Sequence, residues 1–266
     1  MKQRILTAVV AVPLLILLIA FANPVIFSFS IALVLFLALL EFNRMGLAAD
    51  HSSAQWLAAA VGAAVAPLLH FQQLPLLLPL LAATFLLLTL LFLFRLSDIA
   101  TVHHRLGWLC LGFFYLPLLL GHLVLLRSLN DGRAWIFLTL LVIMVCDSSA
   151  YFVGSHWGKR KLYPIVSPNK SVEGGVGGLI GAVLAVLFAS VTFLPQVGIV
   201  DGVIIGLLLG VVGQLGDLFE SLLKRACGVK DSGNLIPGHG GMLDRLDSLL
   251  FAFPVVYYLA RYGYGG

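Results

Sequence analysis

The chain has 266 residues, of which 61% are hydrophobic and 11% are charged, with a formal net charge of +4. A water-soluble domain carries about 25% charged residues, so this composition excludes a soluble globular protein. The apolar segments are long and continuous, whereas the strands of a transmembrane barrel alternate apolar and polar residues. The sequence therefore predicts an all-α, polytopic integral membrane protein.

Nine apolar segments predict about nine transmembrane helices, since each approaches the length that crosses a bilayer. They cover residues 4–22, 24–41, 56–72, 74–94, 107–126, 134–153, 176–194, 199–218 and 248–262. The first segment ends in a pattern similar to a signal-peptide cleavage site. It is longer than the apolar region of such a peptide, so we expect it to remain as the first helix.

The positive charges predict the orientation of these helices. With a cytoplasmic N-terminus, the Lys and Arg residues fall inside except for Arg127, Arg133 and Arg261. Two long polar segments, 154–175 and 219–247, then both face the cytoplasm. We expect one membrane domain over residues 1–266, with a hydrophobic helical scaffold in 1–130 and a catalytic half in 131–266.

Asp147 lies near the predicted cytoplasmic end of the sixth apolar segment. A lone carboxylate within a membrane helix costs about 2.5–3.5 kcal/mol on insertion scales. This cost favours a position facing a cavity, a cation or a metal ion. The alternative is an acid at the membrane interface that caps a helix.

The polar segment 154–175 combines glycines, hydroxyl groups and cations, among them Lys170 and Ser171. Glycine-rich turns allow backbone N–H groups to approach phosphate oxygens, and lysine supplies the opposite charge. The segment does not match a Walker A loop. It therefore predicts either a phosphate-binding loop or a basic loop that contacts anionic lipid headgroups.

Two carboxylate pairs lie at the two ends of the second polar segment, and the first begins just before it. Asp217, Glu220 and Ser221 share one face of a helix because they are three and four residues apart, and Asp244 and Asp247 repeat the three-residue spacing. Oxygen ligands of this kind suit Mg²⁺, so the pairs predict a site for one or two metal ions. Alternatively, the acids neutralise the nearby cations Lys224, Arg225, Lys230 and Arg245.

The residues between these pairs combine three cations with a histidine that glycines flank. They are Lys224, Arg225, Lys230 and His239, with Gly238, Gly240 and Gly241 around the histidine. This composition suits a triphosphate or a phosphomonoester better than a sugar or an apolar solute.

The segment 221–247 resembles the signature of the phosphatidate cytidylyltransferase (CDP-diacylglycerol synthase) family. The resemblance is carried by S-x-L-K-R-x₄-K-D-x-G-x₂-I-P-x-H-G-G-M-x-D-R-L-D. Two upstream motifs agree with it, D-x₂-A-Y-x₂-G-x₃-G-K from Asp147 and S-P-x-K-S-x-E-G from Ser167. The resemblance covers about residues 140–250.

The resemblance implies Mg²⁺-dependent transfer of CMP from CTP to phosphatidate, yielding CDP-diacylglycerol and pyrophosphate. The cofactor would be Mg²⁺, either alone or together with a second cation. The metal ligands would be Asp217, Asp244 and Asp247, with Asp147 and Glu220 as further candidates. Lys224, Arg225, Lys230 and Arg245 would neutralise phosphates, and Asp231 joins this catalytic set. Nucleotide binding would involve Lys170, Ser171, Ser221, Gly240 and Gly241, and His239 with its glycines would shape the nucleotide loop. Apart from the resemblance, we expect His239 to protonate the departing pyrophosphate.

The expected partners are CTP, phosphatidate and the lipid bilayer, without nucleic acid, and the family resemblance admits a homodimer. We expect a multi-pass protein of the plasma or inner membrane with a cytoplasmic active site. The alternatives are a CTP-dependent polyprenol kinase and a transporter of phosphorylated solutes. A transporter would place its polar site near the membrane midplane, whereas here the polar residues gather at one predicted face.

Overall fold

The computed structural model of the protein describes residues 2–47, 52–94, 99–236, 238 and 240–265. His239, the predicted proton donor, lies outside these residues. The described chain forms nine α-helices and one small antiparallel sheet. The helices are α1 (Lys2–Phe21), α2 (Pro24–Gly46), α3 (Ser52–His70), α4 (Leu74–Phe94), α5 (Val102–Arg127), α6 (Gly132–Trp157), α7 (Val172–Thr192), α8 (Ile199–Ala226) and α9 (Asp247–Tyr258).

Seven helical segments within the described residues are long and apolar enough to cross a membrane. They are Pro24–Gly46, Ser53–His70, Leu74–Phe94, Ile99–Arg127, Gly132–Trp157, Val172–Thr192 and Ile199–Ala226. Many of their large apolar side chains are exposed, which suits contact with lipid tails. The protein is therefore a helical, multi-pass membrane protein. The predicted count of nine crossings and the predicted orientation stay predictions.

The chain divides into two compact units. The first contains Met1–Ser128 and Asp231–Asp244, and the second contains Leu129–Lys230 and Arg245–Gly266. The polar loop Asp231–Asp244, which sequence analysis assigned to the C-terminal half, thus groups with the N-terminal helices.

Within the first unit, α2 packs against α3 and α5, and α3 also packs against α4 and α5. The end of α2 is held by aromatic packing, since the rings of Phe42 and Trp108 are stacked with centroids 4.4 Å apart. Gly46 permits this contact, because a Cβ atom there would overlap the Trp108 indole. Arg127 at the end of α5 donates to the backbone oxygen of Ala22 over 3.0 Å.

Within the second unit, α7 packs against α6 and α8, and α9 packs against α8. Small residues allow the backbones of α6 and α7 to approach closely. A Cβ atom on Gly177 would lie 2.6 Å from Cβ of Val153, and one on Gly181 would lie 2.8 Å from Cβ of Ser149. Gly177 and Gly181, four residues apart on α7, therefore allow this helix to pack closely against α6.

A short hairpin connects α6 to α7. Its strands, β1 (Lys161–Tyr163) and β2 (Ser167–Ser171), pair antiparallel. Ser171 ends β2 and caps α7, since its Oγ accepts a hydrogen bond from the Gly174 N–H over 3.1 Å. The N-cap satisfies an N–H group that the first helical turn leaves unpaired. The hairpin forms the one β-sheet among the described residues, and the other elements are helical.

Candidate active site

The second unit contains a cavity of about 510 Å³. Its wall combines two acids and one lysine with hydroxyl, amide and glycine groups. The lining residues are Asp147, Ala150, Tyr151, Gly154, Ser155, Leu162, Asn169, Lys170, Ser171, Gly174, Gly175, Gln214 and Asp217. This mixture suits a polar, charged ligand better than an apolar one.

Helical periodicity places the α6 and α8 side chains in this wall. Asp147, Tyr151 and Ser155 follow at intervals of four along α6 and therefore share one face. Gln214 and Asp217, three residues apart on α8, share a face in the same way. The remaining lining comes from the hairpin and the first turn of α7.

An ion pair joins two sides of the cavity. The Lys170 ammonium at the end of β2 lies 2.5 Å from Oδ2 of Asp217 on α8, and both side chains are about one-quarter exposed. Ser221, one turn beyond Asp217, lies with its Oγ 3.4 Å from Oδ1 of that carboxylate. Both oxygens of Asp217 therefore have a partner within the second unit.

Three acids of the second unit, Asp147, Asp217 and Asp247, lie close enough to interact electrostatically, and Lys170 acts on Asp147 and Asp247. Asp147 is exposed, whereas Asp217 and Asp247 are half-buried. Burial first, and then the negative charge of Asp217, raise the pKa of the Asp247 carboxyl above its usual range. The three acids thus concentrate negative charge beside Lys170, the one lysine among the residues that line the cavity.

Close backbone contacts shape the first turn of α7. A Cβ atom on Gly174 would lie 2.8 Å from the Ala150 carbonyl oxygen and 3.1 Å from Cα of Gly154. Glu173 fixes the start of the hairpin by accepting hydrogen bonds from the backbone N–H groups of Lys159, over 3.0 Å, and Arg160, over 3.2 Å. The glycine pattern of segment 154–175 therefore supports tight packing around Ser171, which lines the cavity.

Glu220 and Lys224 form a buried ion pair one turn along α8. The Lys224 ammonium lies 3.1 Å from Oε1 of Glu220, whose side chain is fully enclosed. This arrangement matches the alternative in which the acid neutralises a nearby cation.

The remaining cations of the second unit are exposed. Arg225 donates to the backbone oxygens of Val229, over 2.8 Å, and Val166, over 3.4 Å. Lys230 and Arg245 are exposed. Arg225 therefore ties the end of α8 to the hairpin.

The loop Asp231–Asp244 of the first unit folds around a carboxylate. Oδ2 of Asp244 accepts hydrogen bonds from the Ser232 N–H (2.9 Å), the Ser232 hydroxyl (2.9 Å) and the Gly241 N–H (2.8 Å). Gly240 has φ +85°, and a Cβ atom there would lie 2.7 Å from the same oxygen. Glycine is therefore required at 240 both by backbone conformation and by space. Asp231 is exposed.

A sequence profile of the cytidylyltransferase family matches residues 2–262. The match covers nearly all of the chain. The chain belongs to the cytidylyltransferase family.

Curated relatives agree with this membership. The chain is 49% identical over 155 residues to a phosphatidate cytidylyltransferase of Bacillus subtilis (strain 168), covering 58% of this chain and 57% of the relative. It is 43% identical over 137 residues to the enzyme of that name from Staphylococcus saprophyticus, covering 52% and 53%. It is 44% identical over 140 residues to the one from Staphylococcus aureus (strain COL), again covering 52% and 53%. The chain thus spans about half the length of the curated relatives it matches.

The carboxylates of this cytidylyltransferase-family chain fit a magnesium ion by their chemistry. Asp147, Asp217 and Asp247 supply hard oxygen donors, and their combined negative charge is larger than the single positive charge of Lys170. Mg²⁺ commonly binds through one or two carboxylates and completes its shell with water and substrate phosphates. Across the described part of the chain, no three His, Cys, Asp or Glu side chains form a preformed metal site. A magnesium ion here would accordingly take its other ligands from the substrate.

The cavity wall brings together four of the predicted site residues, Asp147, Lys170, Ser171 and Asp217. It also contains Tyr151, Asn169 and Gln214, for which the sequence predicted no role. Helical spacing could have identified two of them, since Tyr151 is one turn from Asp147 and Gln214 is one turn from Asp217. Nothing local marks Asn169 except its position beside Lys170.

Proposed function

We propose that this chain transfers CMP from CTP to phosphatidate, forming CDP-diacylglycerol and pyrophosphate. The observation that carries the proposal is the cavity in which Lys170 faces Asp217 beside Asp147. Membership of the cytidylyltransferase family supports the nucleotide, and the names of the curated relatives support the lipid substrate.

The reaction exchanges one phosphoric anhydride bond for another. A phosphate oxygen of phosphatidate attacks the α-phosphorus of CTP, and the bond from that phosphorus to the bridging oxygen breaks and releases pyrophosphate. The attacking oxygen is already anionic, so the reaction needs no strong general base. The main obstacle is repulsion between two polyanions, which positioned cations reduce.

The cavity supplies groups for this task. Lys170 would bind a phosphate oxygen, and to do so its ammonium would leave Asp217. Asp147, Asp217 and Asp247 would hold Mg²⁺. The bound metal ion would offset the charge on the transferred phosphoryl group and the leaving pyrophosphate.

Asn169, Ser155 and Gln214 offer further polar groups in the wall. Gln214 is oriented by its own hydrogen bond, since its Nε2 donates to the Gly175 carbonyl oxygen over 3.0 Å. Arg225, in the last turn of α8, and Lys230, just beyond it, are exposed and would attract the anionic substrates before they bind. Glu220 and Lys224, which neutralise each other inside the unit, have a structural role in this proposal.

The proposal includes a membrane location and an orientation. The chain would lie in the plasma or inner membrane with nine crossings, a cytoplasmic N-terminus and the cavity open to the cytoplasm, where CTP is present. The excess of Lys and Arg in the predicted cytoplasmic segments supports this orientation. Dimerisation and a second cation beside Mg²⁺ are further expectations of the family resemblance.

One labelling experiment tests the reaction. Purified protein in mixed micelles receives phosphatidate, Mg²⁺ and CTP that carries ³²P at either the α- or the γ-position. We expect α-label in the lipid fraction and γ-label in pyrophosphate. γ-Label in the lipid with release of CDP would indicate a lipid kinase instead. No lipid label with either nucleotide would contradict the proposal.

A further inference from the structure

Glu41 is a buried acid in a part of the chain that sequence analysis regarded as a hydrophobic scaffold. It lies near the end of α2 and is only 8% exposed. Burying a carboxylate is costly unless polar partners compensate for the lost water. The partners of Glu41 therefore indicate why an acid occupies this position.

Those partners belong to the polar loop Asp231–Asp244 of the same unit. Oε2 of Glu41 accepts a hydrogen bond from the Leu243 N–H over 3.0 Å and lies 3.2 Å from the Ser232 hydroxyl oxygen. These two residues stand near opposite ends of the loop. One carboxylate oxygen thus connects both ends of the loop to α2.

The loop backbone approaches Glu41 closely at two glycines. A Cβ atom on Gly233 would lie 2.6 Å from Oε1 of Glu41, and one on Gly241 would lie 2.8 Å from its Cδ. Any larger residue at either position would displace the loop or the acid. The glycines of the loop are therefore matched in shape to the Glu41 side chain.

Ser232 links Glu41 to Asp244. Its hydroxyl oxygen lies 3.2 Å from Oε2 of Glu41 and 2.9 Å from Oδ2 of Asp244. A hydroxyl group has one proton and donates to one acceptor at a time. The position of the Asp244 carboxylate is therefore connected to Glu41 through a shared donor.

The end of α2 that carries Glu41 is itself fixed. The next residue, Phe42, accepts a hydrogen bond through its carbonyl oxygen from Nε1 of Trp108 on α5, over 2.9 Å. Asn43 donates from its Nδ2 to the Gln55 carbonyl oxygen on α3, over 3.2 Å. Because α3 and α5 hold these neighbours, Glu41 provides a rigid attachment point for the loop.

We infer that Glu41 is a positioning residue that fixes the loop Asp231–Asp244 in the conformation required for CMP transfer. Its effect on catalysis rests on the proposed function, whereas its hold on the loop does not. It acts through hydrogen bonds at Oε2, since no donor among the described residues reaches its Oε1. Glutamine can supply one carbonyl oxygen at the position of Oε2, and alanine cannot.

Steady-state kinetics of three variants test the catalytic part. We expect Glu41→Ala to lower kcat for CMP transfer about 10–100-fold, with KM for CTP changed less than about threefold, because small misplacement of reacting groups costs this much. Glu41→Gln should restore kcat to within about threefold of wild type. The matched control, Thr84→Ala, removes a buried hydroxyl of α4 in the same unit, whose hydrogen bond to the Leu80 carbonyl oxygen stays within that helix. It should also stay within about threefold of wild type. Equal losses in Glu41→Ala and Thr84→Ala, or no rescue by glutamine, would overturn the inference.

Hydrogen–deuterium exchange tests the hold on the loop without requiring activity. We expect amides of peptides from 231–244 to exchange about 3- to 10-fold faster in Glu41→Ala than in wild type. Glu41→Gln and Thr84→Ala should leave their exchange unchanged. Unchanged exchange in Glu41→Ala would contradict the inference. If wild type forms no CDP-diacylglycerol but exchange responds as expected, the proposed function fails while the contact between Glu41 and the loop stands.

Discussion

Lys170 and Asp217 form an ion pair of 2.5 Å across the cavity of the second unit, although they lie 47 positions apart in the chain. Lys170 lies on β2 of the hairpin and Asp217 lies on α8, so the pair connects an exposed element to a membrane-spanning helix. Both side chains remain about one-quarter exposed, which leaves the pair accessible to a ligand. A phosphate for the lysine and a metal ion for the carboxylate would replace each partner with a stronger one.

Replacing Lys170 by methionine should impair the reaction more than it impairs folding. Methionine keeps much of the length of the side chain but removes the charge that would face phosphate. We expect kcat/KM for CTP to fall about 10²–10³-fold, as for loss of one positioned electrostatic group. Lys161→Met on the exposed β1 strand is the matched control and should change kcat/KM less than about threefold. Nearly normal kcat/KM in the Lys170→Met enzyme would show that the Lys170 charge does not contribute to the reaction.

Replacing Asp217 by asparagine should weaken metal-dependent activity. Asparagine keeps the shape but removes the negative charge that binds a hard cation. We expect CMP transfer to fall at least about 10²-fold and the Mg²⁺ concentration for half-maximal rate to rise. Electron paramagnetic resonance of Mn²⁺ added with CTP should show fewer bound ions.

Asp201 at the first turn of the same helix provides the control for Asp217. Asp201→Asn can still accept the hydrogen bond that the Tyr264 hydroxyl donates over 3.0 Å. It should therefore leave activity and Mn²⁺ binding unchanged. If Asp217→Asn binds Mn²⁺ as wild type does, Asp217 is not a metal ligand.

Replacing Gly177 by alanine should destabilise the contact between α6 and α7. The added Cβ would overlap Val153, and overpacking of this kind costs about 1–3 kcal/mol. The measurement is the thermal midpoint of the protein in detergent. A methyl group added at Gly107 on α5 would meet no atom within 4 Å, so Gly107→Ala should be neutral or stabilise by up to about 1 kcal/mol. A Gly177→Ala protein as stable as Gly107→Ala would contradict the close packing.

The helices could be predicted from the sequence because lipid leaves the backbone no hydrogen-bond partner outside its own segment. Each of the nine apolar segments coincides with a helix in the described chain, yet several helices extend further than predicted. α6 continues to Trp157 and α8 to Ala226, beyond the predicted ends at 153 and 218. Hydropathy shows where the apolar side chains end. A helix continues further when polar residues follow, because its backbone N–H and C=O groups still form hydrogen bonds along the helix.

The site could be predicted only in part. Spacing along α8 correctly grouped Asp217 with Ser221, because residues four apart on a helix are neighbours. The contact of Lys170 with Asp217 depends on how the hairpin folds back, and that of Glu41 with Ser232 joins residues 191 positions apart. Such contacts follow from tertiary packing, which no local pattern encodes. The ion pair of Glu220 with Lys224 is the alternative that the sequence left open for this acid.

Replacing both Glu220 and Lys224 should be less harmful than replacing either one. Glu220 is fully enclosed and Lys224 is 8% exposed, so a single replacement leaves a buried charge without its counter-charge. Removing one partner of such a pair typically costs about 3–5 kcal/mol, whereas replacing both with neutral groups of similar size is often tolerated. We expect Glu220→Gln and Lys224→Met each to lower the thermal midpoint and the double variant to recover much of the loss.

Activity of the double variant then separates structural from catalytic roles. If the pair only stabilises the second unit, the folded double variant should transfer CMP within about tenfold of the wild-type rate. Single variants whose destabilisations simply add in the double variant would show that the two charges are not coupled. A stable double variant without CMP transfer would show that the Lys224 charge is needed for the reaction and not for the fold. Lys224 would then belong with the residues that neutralise substrate phosphates.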